Sequence, residues 1–166
     1  MSINTSRKNL SNVEKPTLFI SYSQNDSPIA KIIECKLKYE TNDGIEISRD
    51  TRVPYKGSFK AFMNSIQDHD FVLCLVSDNY LKSQACMYEV GEIIKDHHFD
   101  KKLLFVVLGE NDGKYYPDDA ANFAAAKIFG SELNRLKYIR YWENKYEELK
   151  KEIDTIEDDE ARARPL

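Results

Sequence analysis

The chain has 166 residues, of which 42% are apolar and 31% charged, and carries a formal net charge of -4. That length suits one domain with a full hydrophobic core and leaves little room for a second. The acidic balance gives no general attraction for phosphate backbones and no local basic patch replaces it, which argues against a nucleic-acid partner.

Residues 1–15 form a polar arm without the continuous apolar stretch of a signal peptide, and no later run approaches the length of a membrane span. The expected setting is cytoplasmic, with no membrane partner, and one domain is expected over 16–156. Thr17 to Ser21 (TLFIS) is a continuous apolar run, the pattern of a parallel strand covered on both faces. Ser27 followed by Pro28 suits an N-cap and first helical residue. Ile29, Ile33 and Leu37 line one face of that helix, and Asn42-Asp43-Gly44 ends it. Ile45 to Ser48 (IEIS) alternates apolar with polar residues and fits an edge strand. Ser58 can cap a second helix, in which Phe59, Phe62, Met63 and Ile66 repeat at helical spacing. Phe71 to Ser77 (FVLCLVS) and Leu103 to Leu108 (LLFVVL) are two further continuous runs, expected as interior strands. The helix between them carries Cys86, Met87, Val90, Ile93 and Ile94 toward the sheet. Tyr138 to Tyr141 (YIRY) alternates again and is expected as the other edge strand. A last helix then shows Trp142, Tyr146, Leu149, Ile153 and Ile156 on one stripe. Residues 157–166 read as a charged, solvated tail or the start of a linker.

Alternating strand and helix, with no internal repeat or low-complexity block, predicts an α/β, flavodoxin-like doubly wound fold. Its five-stranded parallel sheet has the order 2-1-3-4-5. In that order a crevice opens outside the carboxyl ends of the strands, where the connections from strands 1 and 3 leave toward opposite faces. Three segments meet there: Ser21 to Asp26, Arg49 to Gly57, and Asp78 to Glu89. They bring hydroxyls, an aromatic ring, basic side chains and carboxylates, a set suited to a polar ligand with ribose or phosphate groups.

Within the third segment Glu89 holds the informative position. At about 100° per residue it falls at the margin of its helix's apolar arc, whereas Glu92 points nearly opposite. A semi-buried carboxylate at a cleft margin can be tuned for chemistry; periodicity alone favours a surface glutamate with a buried stem. Other chemistries lack their residues. There is no Gly-rich phosphate loop and no G-x-S-x-G turn. Cys35, Cys74 and Cys86 suit neither a disulfide framework nor a zinc site, and Cys74 and Cys86 are expected to fill the core. His69, His97 and His98 form no base or metal-ligand set, and no metal is expected. A phospho-acceptor site would need an acidic pair after strand 1 and an Asp ending strand 3, where the chain offers only Asp26 and Asp78.

From Lys15 to Ile153 the chain resembles the TIR (Toll/interleukin-1 receptor) domain family. The resemblance is carried by FISYSQND (Phe19 to Asp26), SRDTRVPYKG (Ser48 to Gly57), FVLCLVSDNYLKSQACMYEVGEI (Phe71 to Ile93) and the late Tyr141-Trp142. Each piece alone is weak, whereas their order and spacing together are specific. Some TIR domains, many bacterial ones included, cleave NAD+ and require a glutamate on the helix after the third strand. The family's S-x-x-C-x-x-E pattern is matched by Ser83, Cys86 and Glu89. The resemblance thus implies Glu89 as the catalytic residue and NAD+ as substrate, with no resident cofactor. It implies Ser21 and Ser83 near the ribose, Tyr22, Tyr55 or Tyr88 as a stacking ring, and Arg49 or Lys56 at the diphosphate. Val53 to Gly57 resembles the family's gate loop, and reads otherwise as an ordinary turn made by Pro54 and Gly57. One departure stands out: Ala85 lies four positions before the glutamate, where the family often has Trp.

The resemblance further implies activity that depends on self-association with other TIR domains, and a fused or separate sensor or effector. The product would be ADP-ribose or a cyclic ADP-ribose, in a setting such as bacterial antiphage defence. Two rival readings accompany it. One is a non-catalytic TIR interaction module; the other is a nucleotide-sensing flavodoxin-like domain outside the family.

Overall fold

The computed structural model describes residues 14–49, 66, 68–95, 99–116 and 123–163, with the backbone alone for Glu92 and 156–163. Among these residues four strands form one parallel sheet in the order β2-β1-β3-β4: β1 (Thr17–Tyr22), β2 (Glu46–Arg49), β3 (Phe71–Val76) and β4 (Leu103–Val107). The helices are α1 (Ser27–Glu40), α2 (Asp78–Lys82), α3 (Gln84–Ile94), α4 (Phe99–Lys102) and α5 (Glu132–Ala163). The order of the first four strands is the expected one.

Because side chains alternate along a strand, the continuous apolar runs supply two cores, one on each face. Leu18, Ile20 and Tyr22 of β1 join Leu73 and Leu75 of β3 against Ile29 and Ala30 of α1. On the other face Phe19, Val72 and Cys74 pack with Ile66, Tyr80, Cys86 and Ile93. Both strand-borne and helix-borne thiols are therefore core-filling, as their apolar surroundings suggest. Burial pushes Cys74 up to about 11 and Cys86 up to about 12, so neither is a ready nucleophile.

The start of α1 differs from expectation by one residue. Residues Gln24–Asp26 form a 3-10 turn that runs directly into the helix, so Asp26 occupies the N-cap position and Ser27 is already helical. Asp26 makes no side-chain cap, because its carboxylate turns inward instead. At the other end Asn42 and Asp43 take positive φ of 50° and 54°, and Asp43 N–H donates to the Lys38 carbonyl at 2.8 Å. Gly44 is required there: a Cβ would sit 2.8 Å from the Thr41 carbonyl oxygen.

Two expectations are corrected. Tyr138 to Tyr141 is not a strand, because it lies inside α5. Tyr138, Tyr141, Trp142 and Lys145 recur at i, i+3, i+4, i+7, so a four-residue alternation there also fits a helical face. No Gly or Pro interrupts 131–163, and Ser131 caps the start through Asn134 N–H at 3.3 Å. The charged run from Glu157 continues the helical backbone as far as Ala163. Among the described residues β4 is therefore an edge strand rather than an interior one, with Leu104, Phe105 and Val106 exposed. Of the expected second helix only Ile66 is described, and it is helical; Ser58, Phe59, Phe62 and Met63, like His97 and His98, lie outside the described residues.

Candidate active site

The carboxyl ends of β1 and β3 bring together two buried carboxylates that are far apart in sequence. Strand alternation decides which β1 side chain faces which helix: Tyr22 goes to the α1 side and Ser21 to the α3 side. Ser21 is fully buried, and its hydroxyl donates to Glu89 Oε2 at 2.5 Å. Glu89 itself is 6% exposed, deeper than its place at the margin of the helical arc suggests. The Tyr80 hydroxyl lies 2.9 Å from Ser21 Oγ and is 1% exposed. Burial pushes the Tyr80 phenol well above its ordinary value, so it stays protonated.

Asp26 is the second carboxylate, with no exposed surface. It accepts from Ser77 Oγ at 2.5 Å and from the Tyr116 hydroxyl at 3.0 Å. Burial raises its pKa despite these two hydrogen bonds, which act in the opposite direction. Ser77 also caps α2 by accepting from Tyr80 N–H at 2.9 Å. Tyr80 therefore belongs to both clusters: its backbone holds the Asp26 side and its hydroxyl the Glu89 side. Asp78, next to Ser77, donates its N–H to the Ala124 carbonyl, and Ala126 N–H reaches the Leu108 carbonyl, each at 2.9 Å. The stretch 124–126 thereby borders the carboxyl edge beside β3 and β4.

The late aromatics dock α5 onto the same region through their polar ends. Trp142 Nε1 donates to the Leu81 carbonyl at 2.9 Å, and the Tyr138 hydroxyl donates to Asp78 Oδ1 at 2.9 Å.

Of the residues singled out in the sequence, the structure unites Ser21 and Glu89. Ser83 sits between α2 and α3 and caps α3, accepting from Cys86 N–H at 3.3 Å, which also fixes the S-x-x-C spacing. Arg49 ends β2 opposite Ile20, at the same sheet edge, and pairs with Glu34 at 2.6 Å. Tyr22 is packed among the α1-side core residues, on the opposite face from Glu89. Ala85 is exposed on the first turn of α3. Tyr55, Lys56 and the whole loop Val53 to Gly57 lie outside the described residues, as does the Glu92 side chain. Sequence reasoning missed Tyr80 and the inward turn of Asp26. The signal for Tyr80 was its place three residues after a capping Ser77, with a strand on one side and a helix on the other.

Among the described residues no helix is long and apolar enough to cross a membrane. Comparison with curated proteins returns no match. The family model described as TIR domain matches residues 18–154. That span covers both clusters and every strand but the first residue of β1, and the chain belongs to the TIR domain family.

Proposed function

We propose that this TIR domain cleaves the nicotinamide-ribose bond of NAD+ with Glu89 as its catalytic residue. The observation that carries the reading is a carboxylate 6% exposed and held at 2.5 Å by a buried serine, at the carboxyl edge of a parallel sheet. NAD-cleaving members occur in the family.

A single carboxylate suffices for this chemistry. Ordinary glycoside hydrolysis needs a second group to protonate the leaving oxygen. Here the C1′–N bond breaks with its electron pair passing to the pyridinium nitrogen, so nicotinamide leaves neutral without an acid. Glu89 binds the ribose hydroxyls and stabilises the positive charge that grows on the sugar. Water then adds at C1′ and releases a proton to give ADP-ribose, or an adenine nitrogen adds to give a cyclic product. Arg49, on giving up its ion pair with Glu34, or Lys56 is the cation for the diphosphate, with Ser83 near the ribose. The reading includes self-association of TIR domains as a condition of activity.

NAD+ consumption by concentrated protein, with and without a crowding agent, tests the reading. The wild type is expected to release nicotinamide, and Glu89→Gln to lower kcat by about 10²–10³-fold. Purified, self-associated protein that binds a TIR partner and leaves NAD+ intact overturns it. The exposed Ala85, at a position where the family often carries an aromatic wall, favours the second reading of a non-catalytic interaction module. That reading requires partner binding unaffected by Glu89→Gln and no NAD+ loss in either protein.

A further inference from the structure

We infer that Ser21 and Tyr80 are positioning residues, which fix the side chain of Glu89 and present it to the crevice as a hydrogen-bond acceptor. The inference rests on the reading of Glu89 as the catalytic carboxylate, and its argument is one of counting protons. A serine hydroxyl owns one proton, and that of Ser21 goes to Glu89 Oε2. Tyr80, 2.9 Å away, must therefore donate to Ser21 Oγ. The Cys74 thiol also lies in hydrogen-bond contact with the Tyr80 hydroxyl.

The reverse chain begins from a protonated Glu89 and ends with the phenol donating to sulfur, the poorest acceptor of the four. The forward chain aims a phenol and a hydroxyl at a carboxylate, the best acceptor, and is the stronger arrangement. All three oxygen-bearing groups are nearly or fully buried, so water cannot replace a deleted member without opening the core. Among the described residues, the titratable groups acting on the chain include Tyr80 from α2, Cys74 from β3 and Cys86 from α3, with Asp26 acting on Cys86 from further off. Each of the first three is held in its neutral form by burial, which leaves Glu89 as the group the chain serves.

The test uses the whole protein labelled with 13C at glutamate carboxyls, titrated by NMR, with Glu89→Gln to assign the signal. In Ser21→Ala the Glu89 signal is expected to titrate at higher pH, reflecting roughly tenfold tighter proton binding once a hydrogen bond to the charged form is lost. Tyr80→Phe is expected to move it the same way by less, and Ser21→Thr to restore it. In turnover the same variants lower kcat with KM little changed, and the acid limb of the pH profile moves with the NMR titration. A Glu89 titration that Ser21→Ala and Tyr80→Phe both leave in place overturns the inference. Should Ser21→Ala fail to fold, Tyr80→Phe and Ser21→Thr carry the same comparison. The NMR result stands whether or not the wild type consumes NAD+, so failure of the inference and failure of the functional reading give different outcomes.

Discussion

Asp26 contributes to pH dependence with a sign opposite to that of a salt-bridged carboxylate. Burial raises its folded pKa above the ordinary value of 3.8, so the folded state holds this proton more tightly than the unfolded state. Its contribution to stability is fully present below the unfolded value and is lost as pH rises through the raised folded value. Asp26→Asn removes that contribution, so the urea midpoint of the variant relative to the wild type is expected to rise between pH 4 and pH 7. Asp26→Ala behaves differently, because it strands the Ser77 and Tyr116 hydroxyls in the core at about 1–3 kcal/mol each. At this scale the sequence was informative where periodicity reached. The margin of a helical arc led to Glu89, and strand alternation separates Ser21 from Tyr22. Asp26 and Tyr80 stayed hidden because each sits in a short turn or helix whose polar contacts cross 51 to 90 positions of chain. No local pattern encodes such a crossing.

Among the elements, α5 and β4 account for the departures from the expected sheet, and both have tests. Arg140 lies on the exposed side of α5, well inside the helix, so Arg140→Pro is expected to lower stability by about 3 kcal/mol. On an edge strand with its N–H outward the same change would be nearly neutral, and a denaturation curve distinguishes the two. The four residues of YIRY could not decide between strand and helix, since only the uninterrupted length from Glu132 onward does so. The run LLFVV of β4 was legible as a strand, but whether a neighbour covers it depends on the element after it. Phe105 is 65% exposed on that edge, without the charge or proline that usually guards one. Phe105→Lys is therefore expected to change stability by less than about 0.5 kcal/mol and to reduce concentration-dependent association in sedimentation.

For the molecule as a whole, the order of the first four strands was readable because parallel strands buried on both faces show as unbroken apolar runs. Leu75, fully buried in β3, tests the core directly: Leu75→Ala is expected to cost about 2–5 kcal/mol in a chemical denaturation. The crossover connections that build the sheet also set a clock. Ser21 and Glu89 are 68 positions apart, so at ribosomal speeds roughly 3–14 s separate their synthesis. β3 must slot in beside β1 before α3 can reach Ser21, and Tyr116, which steadies Asp26, is made later still. A nascent chain therefore carries for a time a serine with no carboxylate to hold, and a fragment released before α3 lacks Glu89 altogether. Assembly of the site thus waits on a segment made well after β1, whatever chemistry the site carries out.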